Sequence, residues 1–199
     1  MEEIRPGLWH WTAMHPRIKA MVSSYYVAAS GTLIDPMLPP EGLEWFRAHG
    51  APRRIVLTNR HHYRQSDELR AEFGCPVLCH EAGLHEFEGG PEVEGFRFGD
   101  RLAPEITALE VGAICPEETA LHVVLHDGSL AFADGLIHHG ELGFVSDRLL
   151  GDDPEGVKSG LRASFRTLLD HRFDSLLFAH GDPLVGGGRE ALREFLESA

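Results

Sequence analysis

The 199-residue chain is long enough to bury a core without staples and short enough to be read as one domain, 1–199. Its 18 Lys and Arg against 31 Asp and Glu give a net charge of −13, which argues against a phosphate-backbone binder and for a protein with small-molecule or protein partners. The densest cationic positions are Arg53-Arg54 and the stretch from Arg60 to Arg64.

No apolar run approaches the 18 residues of a membrane span, and Met1-Glu2-Glu3-Ile4-Arg5-Pro6 carries no apolar leader segment. The three cysteines, Cys75, Cys79 and Cys115, have neither an even count nor a zinc-knuckle spacing. They read as small buried residues of a protein from a reducing compartment, so the expected location is the cytoplasm.

In chain order, 7–14 alternates apolar and polar residues and predicts a strand. A second strand is expected over 21–29, and a third over 32–34 after the Ser30-Gly31 turn. Pro39-Pro40 opens a helix that Gly50 stops. The β-branched run 54–58 then ends in a polar loop, Asn59-Arg60-His61-His62-Tyr63-Arg64, and Ser66 is placed to cap the next helix, up to Gly74. A short buried strand over 76–79 runs into His80-Glu81, and 86–91 is an exposed acidic loop.

Strands are predicted over 96–98, 106–111, 121–125 and 130–133, with Asp127-Gly128 as a hairpin turn. His138-His139-Gly140-Glu141 reads as a loop on the surface. Asp153-Pro154 opens the longest helix, whose stripe of Val157, Leu161, Phe165, Leu168 and Leu169 suits packing on a sheet. The last strand, 175–178, leads into Ala179-His180-Gly181-Asp182-Pro183, and a final amphipathic helix covers 189–196. A meander followed by strand–helix units therefore occurs twice, and two sheets with helices outside would bury every stripe.

This order and its landmarks resemble the metallo-β-lactamase superfamily over nearly the whole chain. That family's strand ending T-H-x-H-x-D-H is matched in frame by Thr58-Asn59-Arg60-His61-His62-Tyr63-Arg64. Phe132-Ala133-Asp134 is similar to its metal-bridging Gly-Asp, and Ala179-His180-Gly181 to its final Gly-His-Gly. The resemblance implies an α+β fold, the αβ/βα four-layer sandwich, with two mixed sheets face to face and helices outside. It also implies a metal site, but a degenerate one. His61, Asp134 and His180 keep ligand positions, whereas Asn59, Tyr63, Arg64 and Ala113 stand where ligands would be.

A complete dinuclear set is therefore not expected. One reading is a mononuclear site of His61, Asp134 and His180 holding Zn or Fe, with His62, His138 or His139 as a substitute donor. The protein would then be a hydrolase of a small ester, lactone, thioester or amide, with Tyr63 and Arg64 as oxyanion or substrate contacts. The other reading is a metal-free pseudoenzyme in which Arg64 pairs with Asp134 and replaces the ion's charge. It would bind a small anionic ligand or a protein. An oxygen-using iron protein is a third class. Membrane and nucleic acid are excluded as partners, and a homodimer is allowed. The bland reading of each residue stands beside these: Asn59 caps its loop, His62 is hydrogen-bonded within it, and His180 bonds a backbone carbonyl.

Overall fold

The structure is a computed structural model that describes residues 1–198, and the chain falls into two compact units, 1–96 and 97–199. Among the described residues no helix is long and apolar enough to cross a membrane.

In the first unit the strands are β1 (Glu2–Arg5), β2 (Leu8–Met14), β3 (Met21–Val27) and β4 (Thr32–Ile34). Helix α1 (Glu44–His49), β5 (Arg54–Val56), α2 (Ser66–Phe73), β6 (Val77–His80) and β7 (Glu94–Phe96) follow. The seven strands form one sheet in sequential order. It is antiparallel from β1 to β4, where hairpins connect neighbours, and parallel from β4 to β7, where each connection must cross over. Ile55 and Leu57 are two residues apart and so share a sheet face. They pack with Phe46, Leu69, Val77 and Cys79 in one buried cluster. Gly74 ends α2 in the left-handed conformation, φ 65°, as the sequence requires of its stop residue.

In the second unit, β8 (Arg101–Ala103), β9 (Ile106–Glu110), β10 (Thr119–Val123) and β11 (Ser129–Phe132) form a meander. Then come β12 (Ile137–His138), β13 (Leu142–Gly143), α3 (Pro154–Leu168), β14 (Ser175–Phe178) and α4 (Gly188–Ser198). The sheet order is β14-β11-β10-β9-β8, with β14 parallel to β11. The expected stripe of α3 is buried at Leu161, Phe165 and Leu168, against Phe132, Leu176 and Phe178 of the sheet and Leu192 and Leu196 of α4.

The Asp153 side chain accepts the Gly156 amide at 3.0 Å and so caps α3. Asp153→Ala should cost about 1 kcal/mol, the usual value of an N-cap. Chemical denaturation reads it as a lower midpoint with an unchanged slope.

The two-fold repeat of meander and crossover is thus present in both units. Three details differ from the sequence expectation. Strands β1 and β8 are additional, each of three or four residues and too short to show a period. The helix expected from Pro39-Pro40 begins only at Glu44, because 39–42 form a turn closed by the Gly42 amide on the Pro39 carbonyl. His138-His139-Gly140-Glu141 is not an open loop. It is the turn of the β12–β13 ribbon, with Gly140 at φ 84°.

Candidate metal centre

The histidine loop leaves β5 through Leu57 and Thr58, both fully buried. Asn59 is extended, and its side-chain oxygen accepts the His61 amide at 2.9 Å. That bond starts a single 3-10 turn over Arg60–Tyr63, which Arg64 ends at φ 49°. The capping role read for Asn59 from the sequence is what it performs.

The turn separates the two adjacent histidines. His61 is exposed, whereas His62 is 5% exposed. The His62 Nδ1 lies 2.9 Å from Asp35 Oδ2 and 3.0 Å from Thr58 Oγ1. Asp35 follows β4 at φ 47°, a region that Asp tolerates better than most residues, and its carboxylate is 2% exposed. Oδ1 accepts the Thr58 amide at 2.8 Å and Oδ2 accepts the Thr58 hydroxyl at 2.5 Å. Burial alone would raise the Asp35 pKa, but the charge and hydrogen bond of His62, the Arg64 guanidinium and the Thr58 hydroxyl outweigh it and hold the carboxyl below its ordinary value.

Arg64 and Tyr63 are both engaged inside this unit. Arg64 Nη1 donates to the carbonyl oxygens of Ser23 and Asp35, each at 2.6 Å. It ties the loop to β3 and to the end of β4. The Tyr63 hydroxyl donates to Asp67 Oδ1 at 2.6 Å, and its ring packs beside Phe87. Burial, followed by the hydrogen bond and charge of Asp67, pushes the Tyr63 pKa upward, so the phenol stays protonated.

Cys79 is fully buried in the same unit. Its pKa is pushed up to about 12 by burial, with the Asp35 charge adding to it. It is a small buried residue, as read from the sequence.

In the second unit the register does most of the positioning. Phe132 of β11 is paired with Phe178 of the parallel neighbour β14, so Asp134 and His180 leave their strands at equivalent heights. His180 Nε2 and Asp134 Oδ1 are 3.0 Å apart, and each side chain is about a quarter exposed. Backbone bonds fix both turns. The Ala179 amide donates to the Phe132 carbonyl, the His138 amide to the His180 carbonyl, and the Asp182 amide to the His138 carbonyl. The Gly135 amide donates to Glu118 Oε1 at 2.7 Å, and Glu118 is 1% exposed. Cys115 approaches the other Glu118 oxygen at 3.7 Å.

Two anchoring carboxylates, Asp35 and Glu118, were not singled out in the sequence. Asp35-Pro36 looked like a strand end. Nothing in Glu117-Glu118 separates a buried pair from a solvated one.

The donor chemistry of Asp134 and His180 fits one borderline divalent ion, since a carboxylate oxygen and an imidazole nitrogen sit side by side. At the remaining ligand positions of the resemblance, the Asn59 oxygen is used on the His61 amide, Tyr63 donates to Asp67, Arg64 donates to two carbonyls, and Ala113 has no donor.

No protein-family model and no curated protein sequence matches the chain. Solved structures do. The chain is similar to DIM-1 metallo-β-lactamase at 14% identity and a TM-score of 0.75, covering 99% of this chain and 96% of that one. It is similar to the metallo-β-lactamase family protein TTHA1429 of Thermus thermophilus at 17% identity and a TM-score of 0.68, covering 98% and 80%. It is also similar to TTHA1623 in a di-iron-bound form, at 24% identity and a TM-score of 0.67, covering 91% and 96%. Identities this low speak to fold alone. On that evidence, the chain has the α+β fold of the metallo-β-lactamase superfamily, the αβ/βα sandwich.

Proposed function

We propose that the protein is a hydrolase of the metallo-β-lactamase fold that works with one divalent ion, zinc or iron, rather than two. The observation that carries this reading is the Asp134–His180 pair, two donors of the right chemistry held 3.0 Å apart at the ends of parallel strands. A bound ion would supply a water of near-neutral pKa and polarise a carbonyl. This chain's own residues do the rest. Glu118 and the bonds around His138 hold the two donors in place, and Asn59 and Arg64 hold the histidine loop in its turn. Tyr63 and Arg64 enter as groups that keep the loop's shape, the Tyr63 hydroxyl donating to Asp67 and Arg64 Nη1 to two backbone carbonyls.

The substrate class is a small ester, lactone, thioester or amide, with an anionic molecule the proposed ligand. Three free cysteines, two of them buried, support a reducing compartment such as the cytoplasm.

A second reading is favoured by the same contact. An imidazole and a carboxylate 3.0 Å apart can satisfy each other without an ion, and the protein would then be a metal-free relative that binds a small anion or a protein. Elemental analysis separates the two. Protein purified without chelator should carry close to one equivalent of metal, and His180→Ala should lose it while remaining folded. Metal-free wild type whose melting temperature is unchanged by added Zn²⁺ or Fe²⁺ supports the second reading instead.

A further inference from the structure

We propose that His122 and His171 form a second metal site, selective for Cu²⁺, at the end of the second unit away from Asp134 and His180. The pair takes no donor from the single-ion centre. Strands β11 and β14 begin together at Ser129 and Ser175 and end together at Phe132 and Phe178. His122 is paired with Leu130, near their start, whereas Asp134 and His180 follow their end.

The alternation of β10 puts His122 on the same sheet face as Ala120, which lies in the core cluster with Leu168 and Phe173. Helix α3 ends at Leu168, and the chain after it carries His171 to the margin of that face. The two rings are 5.1 Å apart between centroids, at an angle of 54°. Two imidazoles on neighbouring positions of one ion, with metal–nitrogen bonds of about 2.0 Å, hold their centroids about 4.5–5 Å apart. The pair therefore stands at chelating separation. Both residues are half-buried, so an ion reaches them from solvent.

The surroundings fix both rings. His122 Nε2 lies 2.8 Å from the Arg172 carbonyl oxygen. A carbonyl oxygen only accepts, so Nε2 carries the proton and the lone pair of the neutral ring is on Nδ1. A carbonyl on the far nitrogen is an arrangement that orients a ligating imidazole. That carbonyl is itself pinned against Gly128, where an added Cβ would lie 2.4 Å from its oxygen. His171 is held through its backbone: its amide donates to the Leu168 carbonyl at 3.1 Å, and its carbonyl accepts from Arg189 Nη1 at 2.6 Å. Burial and the neighbouring His122 push the His171 pKa below its ordinary value, against the pull of Asp170, so the ring is neutral near pH 7 and able to ligate. The adjacent cation, Arg172, is paired with Asp127 at 3.0 Å.

The number of donors selects the ion. Two imidazoles leave half of a zinc ion's four positions to water, whereas Cu²⁺ stands at the top of the affinity order for nitrogen sites. Bound there, Cu²⁺ would clip β10 to the connection between α3 and β14.

The test is titration of Cu²⁺ alone into chelator-stripped protein, followed by heat and by pulsed EPR, with His122→Ala, His171→Ala and His180→Ala beside the wild type. One equivalent of Cu²⁺ should survive His180→Ala and be lost in both His122→Ala and His171→Ala, because removing one donor of a two-donor chelate weakens it by at least about 100-fold. EPR of His180→Ala with one equivalent of Cu²⁺ should show two imidazole nitrogens on the ion. His122→Ala also removes the bond to the Arg172 carbonyl, so if it fails to fold, His171→Ala and the EPR spectrum decide without it. Cu²⁺ binding unchanged in His171→Ala, or a spectrum with a single imidazole, would overturn the site. Zn²⁺ held at this pair as tightly as Cu²⁺ would overturn the choice of ion.

Discussion

Gly181→Ala should be among the most damaging single changes in the second unit. A Cβ at position 181 would lie 1.9 Å from the His138 carbonyl oxygen and 2.6 Å from its carbon, and the backbone there is at φ 106°. Both contacts are with backbone, so no side chain can move aside. Overpacking and the disfavoured φ each cost about 1–3 kcal/mol, so together they cost about 2–6 kcal/mol and lower the melting temperature by on the order of 10 °C. The bridge between His138 and 180–182 must open to admit the methyl group. The His180 ring would leave its place beside Asp134, and metal binding should fall with stability. Gly140→Ala is the control: φ there is 84°, but no heavy atom lies within 4 Å of the added carbon. It should show only the conformational strain and keep any metal.

The second large effect is expected at Asp35. Asp35→Ala removes the acceptor of the Thr58 amide, the Thr58 hydroxyl and the His62 Nδ1 together, and takes a buried negative charge away from Arg64. Breaking a buried, multiply bonded charge in this way costs about 3–5 kcal/mol. The pH dependence has a definite sign. The folded carboxyl has a pKa below its value in the unfolded chain, so the folded state favours the charged form. The stability it contributes is fully present above the unfolded carboxylate pKa of about 3.9 and is lost as pH falls through that value toward the folded one. Melting temperatures of wild type and Asp35→Ala should therefore differ most above pH 5 and converge in acid. A gap that widens below pH 4 would contradict the assignment of Asp35 as an ionised, satisfied carboxylate.

The sheet strands were legible where their signal was local. Strand β14 ends where its apolar run ends, and α3 announces itself through Asp153-Pro154 and a clear apolar stripe. Asp134 and His180 could be named because each follows a buried strand in a recognisable motif. Their pairing needed one further fact, the parallel register of Phe132 with Phe178. The histidine loop was legible in position but not in orientation. Whether His61 or His62 points inward depends on the turn that Asn59 sets and on a partner 27 residues earlier. Asp35 is brought to Thr58 by the parallel pairing of β4 and β5, a long-range event with no trace in local pattern. Arg64 shows the same limit. Its Nη1 ties the loop to the Ser23 and Asp35 carbonyls, on partners 41 and 29 residues earlier that leave no trace in local pattern.

Whether one ion is held with the help of Asp134 and His180 can be settled by titrating Zn²⁺ into chelator-stripped protein and following both heat and melting temperature. One equivalent should bind, and a free concentration 100 times the dissociation constant should stabilise the fold by about 2.7 kcal/mol. His180→Ala should abolish both signals. Two equivalents bound with high affinity, or no heat and no shift in the wild type, would rule out a single-ion centre.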